Sequence, residues 1–293
     1  MTRIITLIVF FGFVSIISAE AAEFAVAITA LPVLNTPDFK AVFGGTSGQK
    51  LKVDRCGQVR DIEFIALPGS VFSILKKYRS GTSRIYQVET DEYVTPPHVR
   101  LFIDGRFIKI ERTNPPPRKR SLPPRDEIVS VLRESIGNSY VWGGNVPKGV
   151  PELAEWFAKG IKDADKERFE LAGLDCSGLL YHATGGWTPR NTSQLITFGQ
   201  GVDITGKLDS EIVMMLQPLD LIVWNGHVII VLDQQTTIES KLACSKSGNG
   251  GVVIAQLSQR IAEVMRTRRP VNAWPNGTKQ QDIFVIRRWF APL

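Results

Sequence analysis

Two residues of this chain have the types and the surroundings of a thiol nucleophile and its base. Cys176 stands at the predicted start of a helix, and Asp175 before it is well placed to cap that helix. In the first turn, the helix dipole and free backbone N–H groups stabilise a thiolate, the attacking form of cysteine. His227 begins an apolar strand after a glycine turn, so its ring can enter a cleft as general base. Taken alone, Cys176 could instead be an inert buried cysteine, and His227 could be a histidine of the core.

The segments around these residues form an ordered set of short motifs. Tyr-Val-Trp-Gly-Gly occupies 140–144, Asp-Cys-Ser-Gly occupies 175–178, Pro-Arg occupies 189–190 and Gly-His-Val occupies 226–228. In this order they resemble the NlpC/P60 family of bacterial cell-wall cysteine peptidases, over roughly residues 125–245. The resemblance implies a papain-like α+β catalytic domain.

The resemblance also implies roles for further residues. The position that orients the imidazole corresponds to Glu239, where many members carry histidine; a solvated strand charge is the alternative. Tyr140 matches a family tyrosine near the nucleophile, and its hydroxyl and the Cys176 N–H are candidates for an oxyanion hole. Trp142 supplies a wall, and Ser177 is small enough for close approach of substrate. Simple aromatic packing is the alternative for Tyr140 and Trp142.

Arg190 and Asn191 match a Pro-Arg segment that lies beside the substrate groove in the family. Arg190 can pair with a carboxylate of a peptide stem, or pack over the nucleophile helix. In members that digest released stem peptides, the next residue tends to be an aspartate that holds the free L-Ala amine, so Asn191 is a departure.

Two other departures concern the chain around these motifs. The family's Pro-Gly-Asp-Leu reads Pro-Leu-Asp-Leu at 218–221. The interval before the nucleophile motif is long for the family and predicts an extra helix over 151–172. This helix is expected either to roof the cleft or to pack away from the site.

The start of the 293-residue chain predicts export. Arg3, an apolar stretch and Ser-Ala-Glu-Ala at 18–21 are typical of a signal peptide, here 1–21. The stretch is short for a membrane span of roughly 20 residues; an uncleaved anchor is the alternative. We therefore expect a periplasmic or cell-envelope protein with no membrane span after cleavage. Its net charge of +6 suits an anionic wall polymer, and no motif indicates nucleic acid.

The three cysteines and the absence of ligand motifs narrow the chemistry further. Cys176 must stay free if it is the nucleophile. Cys56 and Cys244 could pair, as exported cysteines often do, but they fall in different predicted domains, so we expect small packing residues. No CxxC, HExxH or carboxylate cluster indicates a metal, and no glycine-rich phosphate loop follows a strand. We expect no metal and no cofactor.

A proline-rich segment, 113–124, predicts a stiff linker between two domains, with its basic run 118–120 in solvent. Residues 22–112 favour many short strands, which indicates a small β-barrel. Their closing segment 102–107 resembles the end of a bacterial SH3-like domain, a kind of domain that often precedes NlpC/P60 domains. Asp-Gly at 104–105 between two apolar runs predicts a type I′ hairpin.

Residues 125–293 predict helices followed by an antiparallel meander, which is an α+β pattern. Helices are expected from 125 until Gly137 and over 176–184. The expected strands and one short interrupting helix are 219–224, 226–232, 236–240, 251–256 and 283–289, with the helix at about 258–266.

Together these features predict an exported monomeric peptidoglycan hydrolase that acts on stem peptides or muropeptides. The family's usual bond joins γ-D-glutamate to a diamino acid, either meso-diaminopimelate or lysine. The alternatives are an N-acetylmuramoyl-L-alanine amidase on the same scaffold, a non-catalytic wall-binding protein, and an acyltransferase on a related fold.

Overall fold

The computed structural model describes residues 23–45, 50–80, 83–158, 160–244, 250–275, 277 and 282–290. The predicted signal peptide therefore lies outside the described residues. None of the described helices combines the length and the apolar character needed to cross a membrane.

The N-terminal region, residues 23–111, forms one antiparallel sheet of seven strands in the order β3-β2-β6-β5-β4-β1-β7. Its elements are β1 (Phe24–Ala27), β2 (Leu31–Leu34), α1 (Phe39–Phe43), β3 (Ile62–Ala66), β4 (Val71–Ser80), β5 (Ser83–Glu89), β6 (Leu101–Asp104) and β7 (Ile108–Glu111). Strand β2 is buried throughout, and the aliphatic and aromatic side chains of this region share one core.

The hairpin predicted at 104–105 does not form. Strands β6 and β7 are not paired with each other, and a 3₁₀ turn, Gly105–Phe107, separates them. The buried Asp104 carboxylate accepts a hydrogen bond from the Arg106 backbone N–H at 3.0 Å and binds the Arg106 guanidinium at 2.6 Å. This local side-chain cap stabilises the 3₁₀ turn in place of a two-residue hairpin loop.

Residues 113–124 contain no helix or strand, but their basic run is not simply solvated. The Arg118 guanidinium pairs with Glu92 of the N-terminal region at 3.1 Å. It also donates to the carbonyl oxygens of Gly185 and Gly186, at 3.1 and 3.3 Å. Arg118 therefore ties this segment to both halves of the chain, and the expectation of a solvated run was wrong for this residue.

The C-terminal region, residues 125–290, combines helices with a largely antiparallel sheet, compatible with the α+β class. Its helices are α2 (Arg125–Glu134), α3 (Pro151–Phe157), α4 (Asp163–Phe169), α5 (Cys176–Ala183), α6 (Thr192–Leu195), α7 (Asp209–Met215) and α8 (Leu257–Met265). Its strands are β8 (Asn145–Val146), β9 (Gly173–Leu174), β10 (Gln200–Gly201), β11 (Leu221–Trp224), β12 (His227–Val231), β13 (Thr236–Leu242), β14 (Gly250–Gln256), β15 (Arg269–Pro270) and β16 (Ile283–Arg288).

The sheet of this region positions the candidate site. Its strand order is β10-β16-β11-β12-β13-β14, so strands β11 to β14 form the predicted meander. Helices α2 and α5 pack on one face of this sheet in a common apolar core, and α7 and α8 cover the other face. Helix α5 lies directly against β12 and β13, which brings the start of the helix to the start of β12.

The single extra helix predicted over 151–172 is instead two short helices, α3 and α4. The chain turns between them, with Gly160 in the left-handed region at φ 70°. Trp156 of α3 packs edge-on against Phe107, with ring centroids 4.6 Å apart, and Phe157 packs against Phe43 at 5.6 Å. Both helices share the core of the N-terminal region, so this insertion joins the two halves of the chain.

A disulfide joins Cys56 to Cys244, whose Cα atoms are 4.7 Å apart across a sequence separation of 188 residues. The expectation that these cysteines are packing residues was therefore wrong. The loop before β3 lies against the end of β13, and no local pattern reveals that proximity. A disulfide is typical of proteins that mature in an oxidising compartment.

Candidate active site

The nucleophile candidate occupies the first position of α5, as its sequence context predicts. Asp175 is the N-cap, and its carboxylate accepts a hydrogen bond from the Gly178 N–H at 2.6 Å. A side chain at Gly178 would overlap the Gly144 carbonyl oxygen, so this helix start requires glycine for close packing. Cys176 itself is largely buried and is the free cysteine of the described chain. Its thiol therefore lies at the positive end of a helix.

The structure brings Cys176, His227 and Glu239 together. The His227 imidazole interacts with Cys176, whose thiol donates a long hydrogen bond to the Gly226 carbonyl oxygen at 3.9 Å. On its other side, the His227 Nε2 lies 2.5 Å from Glu239 Oε2. With Nε2 engaged by the carboxylate, Nδ1 is the ring nitrogen available to the thiol. A thiol, an imidazole and a carboxylate in this order are the groups that a nucleophile, a base and an orienting carboxylate require.

Charges around the imidazole favour its protonated form. Burial lowers the pKa of His227, but hydrogen bonds to Cys176 and Glu239 outweigh it and raise the pKa to about 9. The imidazole is then cationic at neutral pH. A cationic imidazole stabilises a neighbouring thiolate, so the site is suited to a thiolate–imidazolium pair.

Arg260 is a member of the site that sequence reasoning missed. Its Nε and Nη2 donate to the two oxygens of the buried Glu239 carboxylate, at 2.6 and 3.0 Å, and its Nη1 binds Glu263 at 3.1 Å. Burial raises the pKa of Glu239, but bonds from His227 and Arg260 lower it to about 2. Arg260 therefore holds this carboxylate ionised and in place. The only signal in the sequence was an Arg–Glu pair spaced i,i+3 on a helix.

Tyr140 is largely buried beside the nucleophile. Burial, together with the negative charges of Asp175 and the Cys176 thiolate, raises the pKa of Tyr140 above its ordinary value. The hydroxyl therefore stays protonated and can act as a hydrogen-bond donor, as an oxyanion hole requires.

Arg190 does not present itself to a substrate. It is fully buried, and its guanidinium binds both oxygens of Asp175, at 2.6 and 3.0 Å. Its other donors reach Ser177 Oγ at 2.9 Å, Asn145 Oδ1 at 3.1 Å and the Gly144 carbonyl at 3.2 Å. All five N–H groups are thereby used. The alternative of packing over the nucleophile helix is the observed one, and pairing with a stem carboxylate is not available to Arg190.

Ser177 is also buried, and its hydroxyl donates to Asp175 Oδ1 at 3.2 Å while accepting from Arg190. Its role here is in the cap network of α5. The neighbouring Thr192 was missed by sequence reasoning. Its hydroxyl accepts the Gly226 N–H at 3.0 Å and so fixes the turn that delivers His227.

Trp142 forms an exposed wall held by the N-terminal region. The residue is 39% exposed, its backbone N–H donates to Gln58 Oε1 at 2.8 Å, and its Nε1 donates to the Ile62 carbonyl at 3.0 Å. Gly143 follows at φ 71°, and a side chain there would collide with Ile62. The Trp-Gly-Gly turn is therefore shaped to receive the N-terminal sheet.

Asn191 lies where the two regions meet. Its Nδ2 donates to the Val94 carbonyl oxygen at 3.5 Å, and its side chain acts on the Tyr93 hydroxyl, whose pKa it lowers. The Tyr93 hydroxyl donates to Glu63 Oε2 at 2.7 Å, and burial followed by the Glu63 charge raises the pKa of Tyr93. Both Tyr93 and Glu63 come from the N-terminal region and were missed by sequence reasoning. One side of the site is thus supplied by a distant part of the chain.

The Pro-Leu-Asp-Leu departure is resolved by backbone conformation. Leu219, at the position of the family's glycine, adopts φ 72°, in the left-handed region that favours glycine. Its backbone is held by a hydrogen bond from the Leu219 N–H to the Val231 carbonyl at 2.8 Å and one from Trp289 Nε1 at 2.8 Å. Asp220 pairs with Arg288 at 2.7 Å and closes the turn before β11. Leucine therefore occupies a backbone conformation that favours glycine, and the surrounding hydrogen bonds hold it there.

Comparisons with known proteins give one distant structural likeness and no sequence match. No family model matches the chain, and no curated protein sequence matches it. Among solved structures, NlpC2 from Trichomonas vaginalis aligns over 94% of this chain and 75% of that chain, with 13% sequence identity and a TM-score of 0.30. A likeness at this identity and TM-score assigns neither fold nor activity to the chain.

Proposed function

We propose that this protein is an exported cysteine peptidase of the NlpC/P60 type that hydrolyses an amide bond of the peptidoglycan stem peptide. The observation that carries this proposal is the row formed by the Cys176 thiol, the His227 imidazole and the Glu239 carboxylate at the start of α5. The ordered motifs around these residues resemble those of the NlpC/P60 family and support this assignment. The disulfide supports maturation outside the cytoplasm.

The reaction follows from the roles of these side chains. The Cys176 thiolate attacks the amide carbonyl carbon, and the negative charge moves to the carbonyl oxygen, which the Cys176 N–H and the Tyr140 hydroxyl stabilise. The imidazolium of His227 then gives its proton to the leaving amine as the C–N bond breaks. A thioester remains on Cys176. His227 takes a proton from water, the resulting hydroxide attacks the thioester, and the acid product and the thiolate are released.

The proposed bond is the one between γ-D-glutamate and the diamino acid, either meso-diaminopimelate or lysine. The proposed organisation is a signal peptide over 1–21, an SH3-like domain over 22–112, a linker over 113–124 and a papain-like catalytic domain over 125–293. The contacts of Gln58 and Ile62 with Trp142 support a role of the N-terminal domain in lining one side of the groove.

Mass spectrometry of defined muropeptides tests this function. Residues 22–293 are incubated with intact and glycan-free muropeptides, and the Cys176→Ala variant is run beside them. We expect release of a peptide that begins with the diamino acid, together with L-Ala-γ-D-Glu, and no release by the variant. Release of muramic acid from L-Ala would identify an amidase instead. No cleavage of any muropeptide by a folded protein would contradict the enzyme and favour a wall-binding role.

A further inference from the structure

A guanidinium with free donors reaches the candidate site from the N-terminal region. The Arg60 guanidinium carbon lies 4.2 Å from the centre of the Trp142 ring, and the Arg60 side chain is 39% exposed. Its positive charge acts on the Tyr140 hydroxyl, which also responds to the charge of Cys176. Arg60 therefore lies beside the candidate site, against Trp142, and differs from Arg190, whose donors are all used within the protein.

The loop that carries Arg60 is closed by a single carboxylate. Asp54 Oδ1 accepts the backbone N–H groups of Cys56 and Gln58, at 2.8 and 2.9 Å. The other oxygen, Oδ2, pairs with Arg60 Nε at 2.6 Å. This pair fixes the base of the guanidinium and leaves its two terminal NH₂ groups without a bond to any residue that the structure describes. Those groups are the pair that binds a carboxylate in bidentate fashion.

The same loop is anchored to the site by a disulfide and by the side chain of Gln58. The disulfide between Cys56 and Cys244 ties it to the end of β13, the strand that carries Glu239. The Gln58 side chain accepts the Trp142 N–H at 2.8 Å and lies 3.4 Å from the Tyr140 carbonyl oxygen. The ring of Trp142 and the guanidinium of Arg60 are thus held in a stack before any ligand arrives. A preorganised charge loses little conformational freedom on binding.

We propose that Arg60 is a specificity-determining residue that binds a carboxylate of the substrate on the Trp142 side of the site. This inference rests on the proposed function, because a γ-linked glutamate keeps its α-carboxylate free and the diamino acid can carry another. A planar guanidinium matches a carboxylate through two parallel hydrogen bonds, and stacking on tryptophan fixes its plane. Lysine cannot reproduce this geometry.

Steady-state kinetics with substrates in which single carboxyl groups are amidated test the inference. The substrates are a stem tetrapeptide, the same peptide amidated at the D-glutamate α-carboxyl, and the same peptide amidated at the free carboxyl of the diaminopimelate side chain. The enzymes are the wild type, Arg60→Gln, Arg60→Lys, and Arg55→Gln as a matched control. Arg55 lies on the same loop and is exposed, so its loss removes the same charge.

We expect the wild type to prefer the free carboxylate over one of the two amides by about 10- to 100-fold in kcat/KM, as expected for a charged hydrogen-bonded pair. Arg60→Gln loses this preference mainly through KM, Arg60→Lys keeps part of it, and Arg55→Gln keeps it. Melting temperatures of all variants verify that they are folded.

Two failures can be told apart in this experiment. If the wild type cleaves no peptide, the proposed function falls, and this inference with it. If the wild type cleaves the peptides but Arg60→Gln discriminates among them as Arg55→Gln does, the inference alone is overturned. A lysine variant that equals the wild type on every substrate would also overturn the bidentate geometry.

Discussion

The side of the site built by the C-terminal region differs from the side contributed by the N-terminal region in how its residues are held. Cys176 and His227 each occupy the first position of a regular element, and Glu239 lies within the next strand. Arg60 and Gln58 belong to a loop with no helix or strand, fixed by a disulfide and by side-chain contacts to another part of the chain.

Under the proposed function, the residues of the C-terminal side carry out the reaction and those of the N-terminal side determine which substrates bind. Residues at the starts of elements gain helix-dipole and backbone interactions that tune a nucleophile and a base. Residues on a docked loop gain a fixed position but little influence on the reacting atoms. We therefore expect changes on the C-terminal side to abolish turnover, and changes on the N-terminal side to alter substrate preference or stability.

The largest expected effect is that of Glu239→Gln. The carboxylate fixes the ring of His227 at 2.5 Å and stabilises its cationic form, so an amide should lower kcat by roughly 10³- to 10⁴-fold. Steady-state kinetics on the cleaved muropeptide measure this loss. Glu263→Gln is the matched control, because Glu263 also binds Arg260, whereas the carboxylate that binds His227 is that of Glu239. Equal activity of the two variants would remove Glu239 from the site.

The next largest effect is a loss of stability on replacing Arg190, whose partners all belong to the C-terminal side. Arg190→Met leaves the Asp175 carboxylate in a buried position without its cationic partner, which should cost about 3–5 kcal/mol of the free energy of unfolding. Urea denaturation measures it. Arg133→Met is the control, because its pair with Asp233 at 2.8 Å is exposed and should contribute at most about 1 kcal/mol. A similar loss for both variants would contradict the buried network.

A smaller loss is expected when the disulfide is removed from the N-terminal side. The double variant Cys56→Ser/Cys244→Ser frees a loop closed over 188 residues, and about 2–4 kcal/mol of stability should be lost. Because Gln58 and Arg60 then lose an anchor, discrimination between free and amidated stem peptides should weaken more than kcat. A fall in kcat with discrimination intact would reverse the assignment of the two sides.

The predictable part of this molecule is the part whose determinants are local. The helix expected over 176–184 is found at Cys176–Ala183, and the strand expected over 226–232 is found at His227–Val231. A capping aspartate, a stop at two glycines and an unbroken apolar run define these elements within about ten residues. The positions of Cys176 and His227 could therefore be predicted from local signals, whereas Glu239 was predicted only through the family resemblance.

The predictions that were wrong or missing concern residues whose structure depends on competing side-chain interactions or on distant contacts. The Asp-Gly pair at 104–105 is typical of a hairpin turn. Asp104 instead caps a 3₁₀ turn, because its carboxylate also binds the Arg106 side chain. Arg190 lies in a motif typical of a substrate contact, yet five hydrogen bonds to four internal residues use all its donors. Arg60 and the disulfide of Cys56 and Cys244 act across the interface of the two regions. No periodicity in the sequence encodes that docking.

The smallest expected effect is the loss of activity at alkaline pH, about tenfold for each pH unit. It also separates the two sides of the site most directly. The pKa of His227 is raised from 6.5 to about 9, so the imidazolium persists through neutral pH and is lost as the pH rises through 9. Activity should therefore fall on the alkaline side near pH 9. The stability linked to this group is fully present below about pH 6.5, the unfolded pKa, and is lost over the same rise.

This alkaline limb belongs to the C-terminal side, because Cys176 and Glu239 are the groups that raise the pKa of His227. In Glu239→Gln one of them is neutral, so the limb should move to lower pH in the residual activity. In Arg60→Gln it should stay near pH 9, since Arg60 meets Trp142 and not the imidazole. pH profiles of kcat for the three proteins measure both shifts. A limb that moves in Arg60→Gln would mean that the docked loop also tunes the base, and that the two sides are not separable.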